Sequence, residues 1–242
     1  MIPYPLQSLI AVIIFSLVHL FADRARQLNF NLQSHFLSTG SGIALAYIFI
    51  DLLPKLSKNE SAVSGTLKKI FPYLEHHVYV MALLGFLLFF AVDRSQTLLR
   101  KQSVYYVLSL CSYALLNFLI GYAIVDKDDP EVRPLVLFTF AIALHYFLND
   151  YSLTEVHGEQ YNKFAKWILI ASLFLGWLIG SNYQLSAAGV ALMSAFIGGG
   201  VIMNVTRHEL SDDNPHSLKA ILISAIIYTV ILLTLGSPNS HE

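Results

Sequence analysis

The chain has 242 residues, of which 55% are hydrophobic and only 13% are charged, with a formal net charge of −1 and a mean hydropathy of +0.59. These values exclude an ordinary soluble domain, and the absence of a basic tract gives no reason to expect a nucleic-acid partner. Cys111 is the single cysteine, which excludes an internal disulfide and a cysteine-based metal cluster.

The apolar residues come in eight blocks of about the length that a membrane span needs. A helix rises about 1.5 Å per residue, so about 20 apolar residues cross a hydrocarbon core of about 30 Å. Because hydrocarbon leaves backbone amides without outside partners and no block alternates like a barrel strand, we expect helices, in one integral membrane domain over residues 1–242. The blocks are 3–21, 36–54, 77–93, 104–125, 134–152, 165–181, 186–205 and 217–236.

The first block follows "MIPYP", without a basic segment before it, and is predicted to be a retained span rather than a signal peptide. The balance of loop lysines and arginines favours both termini outside a plasma or inner membrane. His19 and Asp23 share a helix face at the end of this block, where a hydrated interfacial position accounts for both.

The second and seventh blocks resemble each other. When Gly42 is aligned with Gly200, Asp51 falls opposite Glu209, and the two segments would cross the bilayer in opposite directions. This pattern is typical of an inverted-topology repeat, a common plan of secondary transporters, although similar composition also arises by chance.

The fifth block contains "FAIALHYFLNDYSL" (140–153), where polar residues are costly. His145 and Asn149 are four residues apart and share a helix face, and Asp150 lies about 100° further round. If the block begins near Pro134, His145 lies about 16 Å deep, close to the midplane. Asn117 lies at a matching depth in the fourth block. The four residues predict a polar site, and hydrogen bonding that only joins helices is the alternative.

Charged residues at block ends form a second group of candidates. Asp51 ends the second block, and His208 and Glu209 end the seventh. They are predicted either as vestibule residues at opposite mouths of a path or as simple interfacial charges.

The arrangement of apolar blocks and polar residues resembles that of the ZIP (zinc/iron permease) metal transporters. "SGIALAYIFIDLLPKL" (41–56), "ALLGFLLFFAVDR" (82–94) and "GGGVIMNVTRHEL" (198–210) are similar to the family's second, third and seventh helices. The resemblance implies an all-α fold of eight transmembrane helices, an inverted repeat that relates helices 1–3 to helices 6–8, and a metal path between helices 4 and 5.

The family's site motifs match in part. His-Asn-x-x-Glu/Asp-Gly reads here as "LNFLIG" (116–121), and His-Glu-x-x-His-Glu reads as "HYFLND" (145–150). By resemblance, Asn117, His145, Asn149 and Asp150 occupy four of the positions that line the metal path. One imidazole, one carboxylate and two amides make a weak ligand set for zinc, which prefers imidazole, thiolate and carboxylate.

We therefore expect a transporter of a divalent cation such as zinc, iron or manganese, with His145 and Asp150 as principal ligands and Asn117 and Asn149 as auxiliary donors. The alternative is a non-transporting relative that senses, scaffolds or binds a small ligand. An enzyme is not expected, since no span contains a His-x-x-x-His pair for a metal hydrolase. No cofactor is required, the expected partners are the lipid bilayer and the cation, and a homodimer is left open.

Overall fold

The computed structural model of this chain describes residues 3–21, 30–58, 77–99, 102–125, 132–158, 164–209 and 217–235. These segments are helical and contain no β-strand, which confirms the predicted all-α fold with eight principal helices. The helices are α1 (Tyr4–Phe21), α2 (Phe30–Tyr47, continued by a π-helical turn at Ile48–Leu52 and a last helical stretch to residue 58), α3 (His77–Leu98), α4 (Gln102–Ala123), α5 (Val132–His157), α6 (Lys166–Asn182), α7 (Ala187–Glu209) and α8 (Leu218–Leu235).

Each helix coincides with one of the eight apolar blocks. Six of them are long and apolar enough to cross a membrane, and the other two contain the shorter apolar stretches Leu135–Tyr151 in α5 and Lys166–Asn182, the whole of α6. A 17-residue helix is about 25 Å long, which is near the lower limit for a span. These helices indicate a multi-pass membrane protein.

The chain divides into two compact units. Unit 1 contains α1, α2 as far as Leu52, α5, the end of α7 from Val205, and α8. Unit 2 contains the end of α2 from Leu53, α3, α4, α6, and α7 as far as Asn204. Consecutive helices are therefore often in different units, so the order of helices along the chain does not give their packing.

In unit 1, α2 packs against both α5 and α8. The contact with α8 is close because Gly42 leaves room for the Ile221 carbonyl and the Ser224 hydroxyl. At the start of α8, the Ser217 amide donates to the Ser38 hydroxyl over 3.0 Å. The pairings of residue 38 with 217 and 42 with 221 show that α2 and α8 run in the same direction.

The π-helical turn interrupts α2 at Ile48–Leu52 and contains Asp51. Turns of this kind insert one residue into an α-helix and are frequent at functional sites. The Tyr47 hydroxyl is hydrogen-bonded to the Asp51 carboxylate. Nearby, the Tyr228 hydroxyl of α8 donates to the Leu137 carbonyl of α5 over 2.7 Å and so connects these two helices of unit 1.

In unit 2, glycines allow helices to approach backbone to backbone. A Cβ atom at Gly121 of α4 would clash with the Leu173 carbonyl of α6, and one at Gly176 of α6 would clash with the Phe118 carbonyl of α4. Small residues at such contacts are the usual way in which helices associate within a bilayer, because hydrocarbon gives them no hydrophobic drive to pack.

A single phenol connects α4 to the segment between α6 and α7. The Tyr122 hydroxyl donates to the Tyr183 carbonyl over 2.6 Å and accepts from the Leu185 amide over 2.8 Å. It thus satisfies two backbone groups just beyond the end of a helix, where the chain cannot do so itself.

The close contact of α4 with α6 yields a test. We expect Gly176→Ala to lower the free energy of unfolding by about 1–3 kcal/mol, because the new methyl group must push the two backbones apart. Gly40→Ala in α2 is the matched control, since its Cβ would meet the Leu148 side chain at an ordinary 3.5 Å. Thermal melting in detergent, followed by size-exclusion chromatography, measures both. Equal melting temperatures would contradict the packing described for α4 and α6.

Candidate functional site

The polar residues of α5 lie in the interior of unit 1. Only 1% of His145, 7% of Asn149 and 1% of Asp150 is exposed. Their burial follows from the position of α5, which packs against both α1 and α2. In an apolar bundle each of these side chains must find a partner, because an unsatisfied buried polar group costs free energy.

Asp150 pairs with a histidine of another helix. His19 Nδ1 lies 2.6 Å from Asp150 Oδ2, and both side chains are 1% exposed. An ionised carboxylate can only accept, so Nδ1 of His19 carries the proton in this bond. Bonds between an acid and a base of this kind are short and strong, and this one joins α1 to α5 near the end of α1.

An aromatic ladder supports the pair. The buried Tyr146 ring stands edge-on to Phe15 with centroids 5.2 Å apart, and lies 4.8 Å from the His19 ring. Tyr146 and Asp150 are four residues apart and so present one face of α5 to α1. This contact holds the imidazole in place beside the carboxylate.

His145 and Asn149 form a second pair on the neighbouring face of α5. Asn149 Nδ2 lies 2.9 Å from His145 Nε2. An amide NH₂ group can only donate, so Nε2 of His145 accepts and the imidazole is neutral in this arrangement. A cation that bound at Nε2 would have to displace this amide.

Two oxygens of this cluster, Asp150 Oδ1 and the Tyr146 hydroxyl, are buried without a hydrogen-bond partner among the described residues. The Thr154 hydroxyl is close in sequence but donates to the backbone carbonyl of Asp150 over 2.7 Å. A buried carboxylate oxygen without a donor is costly in an apolar interior and leaves room for one more ligand, such as a cation.

The polar residues follow α5 from the middle of its apolar stretch toward its C-terminal end. His145 lies about 15 Å from Leu135, and Asp150 lies about 7.5 Å further on. Thr154 is one turn beyond Asp150 and is also buried. Together they form a polar track that reaches from mid-span toward the side of the membrane at which α1 ends.

The other predicted site residues belong to other helices. Asn117 is buried in α4 of unit 2, where its Nδ2 donates to the Tyr113 carbonyl of its own helix over 2.9 Å. Asp51 lies in the π-helical turn of α2 and is partly buried. His208 and Glu209 belong to the last turn of α7, and their side chains lie outside the described part of the structure.

His19 is the site residue that sequence reasoning missed. It was expected to be hydrated at the interface, whereas it is buried and bound to Asp150. Helix lengths could have indicated this contact. His19 is about 22 Å along α1 and Asp150 about 27 Å along α5, and the two helices run in the same direction, so both side chains lie at a similar depth. Asp23, the other residue expected on that face, lies outside the described segments.

The ligand set offers no ready-made metal cage. Among the described residues, no three histidines, cysteines or acids are close enough together to hold a metal ion. His19 nevertheless adds an imidazole that the α4 and α5 motifs alone do not supply. The set on α1 and α5 is thus two imidazoles, one carboxylate and one amide.

A search against models of known protein families finds no match, and no curated protein is significantly similar to the chain.

The pairing of His19 with Asp150 can be tested by stability. We expect His19→Leu and Asp150→Leu each to cost about 3–5 kcal/mol, because each leaves a buried polar group without its partner. The double variant should recover much of this loss, since two leucines fit an apolar interior. Thermal unfolding in detergent, read as a double-mutant cycle, measures the coupling. Losses that simply add would show that the two side chains do not interact.

Proposed function

We propose that the protein transports a divalent metal cation across a membrane, and that Asp150 is the principal anionic group on its path. The observation that carries this proposal is the buried His19–Asp150 pair, in which one carboxylate oxygen has no donor among the described residues. Ionisable residues inside a membrane bundle are rare and by default mark a path for ions or protons.

The geometry suggests a role for each side chain on the path. A cation that approaches from the end of α1 would meet Asp150 first, with its charge offset by the carboxylate. His19 would share this carboxylate and offer an imidazole. Asn149 would lie beside it on α5, and His145 about 7.5 Å deeper. With so few ligands, the cation would keep part of its water shell.

The division of the chain supports an inverted repeat. Such a repeat would pair α1 with α6, α2 with α7, α3 with α8, and α4 with α5. Under this pairing, the helices of unit 1 exchange with those of unit 2, and α2 and α7 each change unit near their C-terminal ends. The resemblance to the ZIP transporters adds the cargo to the proposal, namely zinc, iron or manganese.

Two buried side chains favour a second candidate. Leu116 and Ile120 are fully buried in α4, at the positions where the ZIP pattern has a histidine and an acid. Apolar side chains there remove charge that would compensate a dehydrated divalent ion. This observation favours a non-transporting relative that binds a ligand or acts as a sensor or scaffold.

Uptake into proteoliposomes tests the transport proposal. The wild-type protein should carry zinc, iron or manganese, and Asp150→Asn should reduce the initial rate about tenfold or more, because the amide removes the charge. Asn still accepts a hydrogen bond from His19, so the helix contact is retained. Asp93→Asn in α3 is the control and should transport like the wild type.

Isothermal titration separates the two candidates. If the wild type moves none of the three metals and binds none of them in the micromolar range, the transporter proposal is wrong and the second candidate is preferred. Binding without uptake, lost in Asp150→Asn, would indicate a sensor that uses the same carboxylate.

A further inference from the structure

A groove runs along the outer side of α1 and α5, apart from the polar track. Its volume is about 400 Å³. Its lining is apolar except for two residues, Gln7 and Thr139. Ala11 and Ala143 keep the space open, since larger side chains at these positions would fill it. The groove belongs entirely to unit 1.

The depth of the groove matches one leaflet of a bilayer. Its residues run from Gln7 to Ile14 on α1 and from Leu135 to Ala143 on α5. With a rise of about 1.5 Å per residue, the groove begins about 4.5 Å from the N-terminal ends of both helices and is about 11 Å long. Half of a hydrocarbon core is about 15 Å, so the groove ends near the midplane.

The chemistry of the lining selects hydrocarbon. The Thr139 hydroxyl donates to the Leu135 carbonyl over 2.7 Å, so it is satisfied within its own helix. The rim is apolar and open on its side, because Ile10 is 42%, Val136 58% and Phe140 50% exposed. Gln7 is the polar residue at the outer end of the groove, which is the end closest to the lipid headgroups.

The width of the groove suits a lipid tail lying within it. A volume of 400 Å³ over a length of about 11 Å gives a cross-section of about 36 Å². A helix with its side chains is about 10–12 Å across, or about 80–110 Å², and could place only its side chains in the groove. A single methylene chain, whose carbons contact neighbours at about 4 Å, fits within it.

We propose that this groove is a binding site for one acyl chain of a membrane phospholipid, drawn from the leaflet in which α1 and α5 begin. The chain lies between the two helices with its headgroup near Gln7. This inference depends on the helices spanning a bilayer, and it does not depend on what the protein transports.

Photolabelling in nanodiscs tests the site, with a phosphatidylcholine that carries a diazirine in the middle of one acyl chain. Mass spectrometry of peptides should find the groove residues Ile10, Ile14 and Phe140 labelled about threefold more than Ile13, which is exposed on α1 but does not line the groove. The expected ratio is modest because association within a bilayer depends on packing alone.

Two variants complete the test. Ala143→Phe fills the groove, and labelling of its residues should fall to the level of Ile13. Val136→Trp closes the rim at an exposed position and keeps the test valid if the first variant does not fold. Ile13→Phe is the matched control and should leave the labelling unchanged. Uniform labelling of exposed residues would indicate ordinary boundary lipid and would overturn the proposal. Cross-linking of two copies of the chain through groove residues would also overturn it, because a second copy would then occupy the groove.

Discussion

Hydrocarbon supplies no hydrogen bond to a polar group, and this constraint shapes both the backbone and the site of this protein. It makes each apolar block a helix, since only a helix pairs its own amides. It also makes the His19–Asp150 contact stronger than a surface ion pair. If one side chain is removed, the other stays buried without water to replace the lost bond. The same constraint gives significance to Asp150 Oδ1, which is buried without a donor among the described residues.

The two units meet this constraint in different ways. In unit 1, the contact of α1 with α5 contains the ionisable pair and an aromatic ladder. In unit 2, the contact of α4 with α6 is made by Gly121 and Gly176, which bring backbones together without any charge. Under the proposed repeat, α1 corresponds to α6 and α5 to α4, so these are equivalent contacts. Unit 1 would then contain the ionisable residues of the site, and the equivalent contact in unit 2 would be purely structural.

The charge balance at the site bears on the proposed transport. A carboxylate that is already paired with an imidazole attracts a divalent ion less than a free one, and a neutral His145 held by Asn149 is not poised to bind. Both conditions favour weak binding, which suits passage because an ion must leave its site as well as enter it.

The sequence by itself determined the helices. Hydropathy and length placed all eight, with each end within six residues of the observed one, because membrane insertion depends on the local composition of each segment. It also pointed to His145, Asn149 and Asp150 as buried and polar. Only the tertiary structure decided their partners: Asp150 binds His19, which lies 131 residues away, and Asn117 belongs to the other unit. Partner choice depends on which helices pack together and on their rotation, and neither is set by the composition of a single helix.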